Sequence, residues 1–243
     1  MALEYVSCWC IADRPRDTNN TLQAWLKDED LFRSWIEHTA TILWIFGGPG
    51  AGKSYLSTWI IKQLRQEDIL KEQRKAAYVA YFFVKENNEA LRDANNILKT
   101  LAWQLIWQDP HFKQHAGEVC KQRALTITAK DTWENLFLGY YCREDGRTDA
   151  PFTSIVIDGL DEATAATQLV LLQFLAGLTS ASKPFRPRIQ FAVVGRTTLQ
   201  EDAQITQEKI CYIQVTKLKN QDDIDSYIRK RLEDVGVGRF SYF

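Results

Sequence analysis

The strongest fold signal in this chain is Thr41-Ile42-Leu43-Trp44-Ile45-Phe46-Gly47-Gly48-Pro49-Gly50-Ala51-Gly52-Lys53-Ser54. The part before the glycines is apolar, a pattern typical of a buried strand in a parallel sheet. The residues after Gly52 predict a helix from about Lys53 to Gln66, because apolar residues recur there on one helix face. The sequence therefore predicts a strand, a tight glycine loop and a helix in direct succession.

The loop itself, Gly47–Ser54, matches the spacing G-x-x-x-x-G-K-[ST] in full. Glycines allow a tight turn in which successive backbone N–H groups point inward and form a nest for an anion. The positive end of the following helix adds to this attraction. In such a loop Lys53 reaches the β- and γ-phosphates of a nucleoside triphosphate, and the Ser54 hydroxyl ligates Mg²⁺. We predict that the nucleotide is bound by Gly47, Gly48, Pro49, Gly50, Ala51, Gly52, Lys53, Ser54 and Tyr55.

A second apolar run, Ile155-Val156-Ile157, leads to Asp158 at the edge where parallel sheets bind ligands. We predict that Asp158 and Ser54 together hold magnesium. Asp161 and Glu162 follow within reach of the γ-phosphate. We expect Glu162 to be the general base for the attacking water and Asp161 to lie on the magnesium side, although the sequence leaves open which of the two is the base. The alternative is that both acids only open the next helix.

A third apolar run, Ile189–Val194, is followed by Gly195 and Arg196. A guanidinium group at the ligand-binding edge of a sheet offers a planar fork of donors, which suits a sensor of the γ-phosphate. A surface arginine leaving the sheet fits the spacing equally well. The predicted catalytic residues are Glu162, Asp161 and Arg196.

Strands alternate with helices along the chain, which predicts an α/β fold with a parallel sheet covered by helices on both faces. The predicted strands are Thr41–Phe46, Ala77–Phe83, Thr153–Asp158, Arg188–Val194 and Lys209–Val215. The predicted helices after the glycine loop are Lys53–Gln66, Ala94–Gln108, Trp133–Tyr141, Ala163–Leu178 and Asp222–Val235. The first forty residues read as helical around a loop at Asp13–Asp17.

Composition argues against several classes of protein. The net charge is −1, from 30 basic and 31 acidic residues, so we expect no nucleic-acid partner. The five cysteines are scattered and do not resemble a disulfide framework, which indicates a reducing compartment. We expect no signal peptide and no membrane span, because no apolar stretch is long enough, and we therefore expect a cytoplasmic protein. The chain ends just after a helical stretch, so we expect it to be a fragment.

Two further clusters invite functional interpretations. His111 and His115 could share a helix face near Cys120, but this set lacks the four close ligands of structural zinc. Trp103 and Trp107 are spaced to share a helix face and could stack on bases, but we expect them to pack in the core, as we expect of most of the eight tryptophans.

The glycine loop together with Asp158-Gly159-Leu160-Asp161-Glu162 resembles the NACHT domain of the STAND class of P-loop NTPases. In that family a small residue follows the magnesium aspartate, two acids stand at the third and fourth positions after it, and Arg196 matches the first sensor. The flanking sequences resemble the fungal branch of NOD-like receptors. They are Trp35 with its neighbours, Ala80–Phe83, Leu101–Leu105 and Leu218–Ile228.

The resemblance implies a five-stranded sheet in the order 5-1-4-3-2 and a small helical domain that begins near the end of the chain. It divides the chain into a helical lead-in (1–40), a NACHT core (41–216) and the start of a helical subdomain (217–243). It also implies that the loop at Arg14-Pro15-Arg16 lies near the base or ribose, although a solvated turn fits as well. The family implies a slow nucleotide-driven switch that self-associates in non-self recognition and regulated cell death.

Three classes of function remain open on the sequence. The first is the hydrolysing switch, and the second is a module that binds nucleotide only to stay folded. The third is a nucleic-acid-dependent ATPase, which the balanced charge argues against. The base also stays open between ATP and GTP, because the guanine-specific Asn-Lys-x-Asp pattern is absent from the sequence.

Overall fold

The computed structural model describes residues 24–65, 78–121, 128–142, 152–179, 188–196 and 210–234. The strands are β1 (Ile42–Gly47), β2 (Tyr78–Phe83), β3 (Thr153–Asp158), β4 (Ile189–Gly195) and β5 (Ile210–Val215). The helices are α1 (Ala24–Asp28), α2 (Asp30–Ile36), α3 (Lys53–Arg65), α4 (Ala94–Gln108), α5 (Pro110–Lys121), α6 (Ala129–Thr132), α7 (Gly139–Tyr141), α8 (Ala165–Thr179) and α9 (Gln221–Asp234). A π-helical segment, Trp133–Leu138, joins α6 to α7, and 3₁₀ turns occupy Glu89–Leu91 and Leu160–Glu162.

The five strands form one sheet in the order β2-β3-β4-β1-β5, with every neighbouring pair parallel. The predicted order is the same order read from the other edge, so the α/β prediction and the strand order are confirmed. Every residue of β3 and β4 is buried, which explains why these strands appear in the sequence as continuous apolar runs rather than as alternating patterns.

Each face of the sheet is covered by its own layer of helices. On one face α2 and α3 pack on alternate residues of β1, and Trp35 and Trp59 lie in this layer. On the opposite face α4, α5 and α8 pack on the remaining residues of the same strands, around Phe112 and Trp133. The sheet is thus buried from both sides, which leaves the carboxyl ends of the strands as an accessible edge. None of the described helices is long and apolar enough to cross a membrane.

The structure departs from the predicted elements in two places. No helix was predicted over Pro110–Lys121, yet α5 forms there. A helix tolerates proline at its first position, because the N–H that proline lacks would have no partner within the helix in any case. Asp161 and Glu162 do not open a long helix directly, since α8 begins only at Ala165 and a separate 3₁₀ turn carries both acids.

The prediction that Trp107 packs in the core is wrong, because its residue surface is 68% exposed. Its ring meets Trp103 edge to face at a centroid distance of 5.6 Å, and Trp103 is partly buried. Predictions for the loop at Arg14–Arg16, for the N-terminal part of the lead-in up to residue 23 and for the residues after Asp234 lie outside the described residues.

Candidate functional site

The strand order brings the predicted site residues to one edge of the sheet. β4 lies between β1 and β3, and the register aligns Phe46 of β1 with Gly195 of β4 and Asp158 of β3 with Val194 of β4. The loop that follows β1, the acids that follow β3 and Arg196 after β4 therefore leave the sheet side by side. This is the position at which open parallel sheets bind ligands.

The phosphate loop, Gly47–Ser54, has the backbone conformation that its glycines permit. Gly50 and Gly52 have φ values of 72° and 82°, in the left-handed region that L side chains rarely adopt. A Cβ at Gly47 would collide with the backbone oxygen of Val215 on the neighbouring β5. The Lys53 Nζ donates to the carbonyl oxygens of Gly47 (2.9 Å) and Gly48 (3.0 Å). The loop therefore curls around the lysine ammonium group.

Asp158 is held from the adjacent helix by a residue that the sequence reasoning missed. The Ser57 Oγ lies 3.0 Å from Asp158 Oδ1, and both residues are buried. Ser57 comes one turn after Lys53 on α3, so the same helix that carries the lysine also fixes the aspartate. The only signal in the sequence was a small polar residue on an otherwise apolar helix face.

Asp161 and Arg196 form an ion pair beside the end of β4. Arg196 Nε lies 2.9 Å from Asp161 Oδ2, and the two side chains are 58% and 12% exposed respectively. An arginine this exposed can exchange partners without unfolding any part of the sheet. The pair joins two of the three residues predicted to be catalytic.

Glu162, the third of them, is held by the segment that follows β2. Its Oε2 accepts a hydrogen bond from the Glu86 N–H at 3.1 Å, and its backbone carbonyl accepts one from Arg92 Nε at 3.1 Å. No sequence motif marks this segment. Together the two bonds fix both the turn and the carboxylate of Glu162.

Gly159 shows why a small residue follows the aspartate. Its φ is 75°, and a Cβ there would lie 3.2 Å from the carbonyl oxygen of Val84 and 3.6 Å from the Glu162 carboxyl group. Gly159 N–H donates to the carbonyl oxygen of Val194 at 2.9 Å. The chain thus makes a left-handed turn at Gly159 and directs Glu162 back toward the sheet edge.

These elements enclose a cleft of about 350 Å³. The cleft brings together three of the predicted residues, Ser54, Asp158 and Glu162, whereas Asp161 and Arg196 pair beside it. A serine hydroxyl and an aspartate carboxylate are hard oxygen donors of the kind that magnesium prefers, so the residues fit this cation. The glycine nest and Lys53 likewise fit a phosphate chain. The lining of the cleft consists of Ser54, Val84, Lys85, Glu86, Asn87, Asp158 and Glu162.

Comparison with known families agrees with this arrangement. Residues 21–196 match the family described as Nephrocystin 3, N-terminal. The chain belongs to this family. The nephrocystin 3 N-terminal family is related to NACHT domains, so the NACHT resemblance inferred from the sequence is confirmed.

The chain is also similar to the vegetative incompatibility protein HET-E-1 of Podospora anserina. The two are 28% identical over 92 residues, which are 37% of this chain and 6% of HET-E-1. The chain thus spans only a small part of that relative's length.

Two solved structures are similar in fold. Cdc6p from Pyrobaculum aerophilum superposes with a TM-score of 0.52 and 15% identity, over 87% of this chain and 51% of Cdc6p. A structure of Drosophila ORC bound to DNA gives a TM-score of 0.52 and 13% identity, over 93% of this chain and 50% of that chain. Likenesses at this level of identity show the fold alone, and they confirm the predicted P-loop NTPase fold of this nephrocystin 3 N-terminal domain.

Proposed function

We propose that this domain is a NACHT-type switch that binds a nucleoside triphosphate, ATP or GTP, with magnesium and hydrolyses it slowly. The observation that carries the proposal is the cleft at the sheet edge, where Ser54, Asp158 and Glu162 meet beside the phosphate loop. A domain that only binds nucleotide has no need of a carboxylate that is fixed in this cleft by a backbone N–H.

In the proposed complex the residues of the phosphate loop hold the phosphate chain. The backbone N–H groups of the loop would bind phosphate oxygens, with none contributed by Pro49 because proline lacks an N–H, and the Lys53 ammonium would exchange its two carbonyl partners for the β- and γ-phosphates. Tyr55 continues the loop into the first turn of α3. Ser54 and Asp158 would hold magnesium, which supplies positive charge against the charge that develops on the phosphates.

Hydrolysis requires a base and a stabiliser of the γ-phosphate. Glu162 accepts a proton from water while the water oxygen forms a bond to the γ-phosphorus and the bond from the γ-phosphorus to the bridging oxygen breaks. Arg196 is proposed to contact the γ-phosphate after it leaves Asp161, which then faces the magnesium side. Because Glu162 has two fixed hydrogen bonds and Asp161 has an arginine partner, Glu162 is the better candidate for the base.

The proposed biological role follows from the family. In a full-length receptor the domain, a NACHT core over 41–216 between a lead-in over 1–40 and a helical subdomain over 217–243, would self-associate in its triphosphate state. It would act in the cytoplasm, in non-self recognition and regulated cell death. The support is the NACHT relationship and the fungal relative, which is named for vegetative incompatibility.

The decisive experiment measures phosphate release from ATP and from GTP with magnesium for the wild type and for Glu162→Gln. We expect the substitution to lower turnover by about 10²- to 10⁴-fold without weakening nucleotide binding. Glu89, an exposed acid in the 3₁₀ turn after β2, provides the matched control, and Glu89→Gln should turn over like the wild type. Chromatography of nucleotide released from the denatured wild type identifies the base.

Equal phosphate release near background for the wild type and Glu162→Gln, with nucleotide still bound, would refute hydrolysis. The nucleotide-stabilised interaction module would then be the better description. Because a structural neighbour was solved with DNA, the assay is repeated with duplex DNA, and stimulation would favour a nucleic-acid-dependent ATPase.

A further inference from the structure

The phosphate loop is held from outside by Asn220, a residue in the turn between β5 and α9. Asn220 is only 2% exposed, and its Nδ2 donates to the carbonyl oxygen of Ala51 at 2.9 Å. The two residues are 169 positions apart in the chain. The Asn220 amide also packs so closely on Gly52 that a Cβ at Gly52 would collide with it.

The geometry of the peptide bond gives this contact a consequence for phosphate binding. A trans peptide is planar, so its C=O and N–H point in opposite directions. A bond that holds the Ala51 carbonyl toward Asn220 therefore turns the Gly52 N–H away from Asn220. Within the described residues this N–H has no acceptor. It is thus a free donor in a loop whose N–H groups would bind phosphate.

The opposite end of the Asn220 side chain shows which of its atoms matters. Its Oδ1 is buried and has no hydrogen-bond partner among the described residues, a state that folded proteins usually avoid. Turning the amide over would place Oδ1 against the Ala51 oxygen, so that two acceptors would meet. The position therefore uses the amide for its donor and leaves the acceptor unsatisfied.

The turn that carries Asn220 is itself anchored on the helical lead-in. Lys219 Nζ forms an ion pair with Glu29 and lies 5.3 Å from the centre of the Trp25 ring. The Lys219 N–H also bonds to Thr216 Oγ1 at 3.2 Å. The turn that places Asn220 against the phosphate loop is therefore itself held by contacts of Lys219 with the helical lead-in.

We propose that Asn220 is a positioning residue for nucleotide binding, which fixes the Ala51–Gly52 peptide so that the Gly52 N–H faces the phosphates. This inference rests on the proposed function. Since α9 begins at the next residue, Gln221, the orientation of this peptide and the position of α9 are linked. A nucleotide that binds the Gly52 N–H would therefore also affect the start of α9, through the hydrogen bond between Asn220 and Ala51.

The test compares Asn220→Leu and Asn220→Asp with the wild type, using fluorescent N-methylanthraniloyl ADP and GDP as probes. The leucine is close in size and removes the donor. We expect it to raise the Kd about two- to tenfold, the equivalent of one net hydrogen bond. The aspartate removes the donor and adds a negative charge beside the phosphates, so its Kd rises further. Thr100→Val, which removes another buried and unpartnered polar atom on the opposite face of the sheet, should leave the Kd unchanged.

A second measurement separates positioning from a general loss of structure. In protein labelled with ¹⁵N-glycine, the Gly52 amide resonance should shift when ADP or GDP is added to the wild type, and shift less in Asn220→Leu. A wild-type Kd in both Asn220 variants, or a Gly52 response equal to that of the wild type, would overturn the proposal. Lys53→Ala serves as the reference for lost binding. If the wild type and Lys53→Ala both fail to bind the probes, the result contradicts the proposed function rather than the role of Asn220.

Discussion

Substitution of Ser57 by alanine should destabilise the domain through Asp158. The Ser57 hydroxyl has one hydrogen, and its acceptors are Asp158 Oδ1 at 3.0 Å and the Lys53 carbonyl at 3.2 Å. The carboxylate is the stronger acceptor because it is charged, and both side chains are buried, so water does not replace the lost donor. A hydrogen bond to a charged group contributes about 1.5–3 kcal/mol. We expect the free energy of unfolding of Ser57→Ala to fall by that amount.

Urea denaturation, followed by tryptophan fluorescence, measures this loss. With a slope of about 3 kcal/mol per molar urea, the midpoint should decrease by about 0.5–1 M. Thr58→Ala is the matched control, since Thr58 Oγ1 also donates to a carbonyl four residues earlier, that of Ser54 at 3.0 Å. Within the described residues Thr58 forms no hydrogen bond with a carboxylate. We expect its midpoint to change by less than half as much. Equal shifts for the two variants would refute the role assigned to the Ser57–Asp158 bond.

Three further predictions test other parts of the site and the fold. Gly159→Ala should cost about 1–2 kcal/mol in urea denaturation because φ is 75°, and Gly159→Val should also slow phosphate release, because its methyl groups press on Glu162. Arg196→Lys should change the free energy of unfolding by less than about 1 kcal/mol, because the arginine side of the ion pair is exposed. The same substitution should lower phosphate release at least about tenfold, because lysine lacks the planar fork of donors, and unchanged release would remove Arg196 from the mechanism. Burial raises the pKa of the Cys211 thiol and shields it from reagents, whereas Cys120 is exposed. Peptide mass spectrometry after maleimide treatment should therefore find Cys120 labelled before Cys211, and the reverse order would contradict the burial of Cys211.

The strands and the phosphate loop could be predicted because each has a local signal. A strand buried on both faces leaves a continuous apolar run, and β3 was predicted with its observed bounds, Thr153–Asp158. The left-handed conformations in the loop require glycine, so the glycine spacing itself encodes the turn. In contrast, α5 has a polar surface and begins with Pro110, and both features resemble those of a loop.

The contacts that support the site could not be predicted, because their partners are far apart in the chain. Ser57 lies 101 residues from Asp158, Arg92 lies 70 residues from Glu162, and Asn220 lies 169 residues from Ala51. Nothing in the local sequence around Ser57 or Asn220 identifies either partner. Such pairs depend on the strand order, which places segments distant in the chain side by side. The prediction for Trp107 was wrong for a related reason. Helix periodicity shows which residues share a face, but only the tertiary packing shows that the position of Trp107 faces solvent.

The hydrogen bonds around the site give a physical reason why a nucleotide would switch this domain. On the proposed function the hydrogen bonds from Ser57 to Asp158 and from Asn220 to the loop would persist when nucleotide binds, because neither donor needs to leave its acceptor. On the same proposal two cations would change partners. Lys53 would leave carbonyl oxygens, which any bound phosphate chain can replace, whereas Arg196 would leave a mostly buried carboxylate. On the proposed function, only a γ-phosphate reaches Arg196, so only the triphosphate breaks the Arg196–Asp161 pair. Asp161 then needs a new partner, and the segment between β3 and α8 must adjust with it. A diphosphate would leave this pair intact, and on the proposed function the two nucleotide states would therefore favour different arrangements of the same segment.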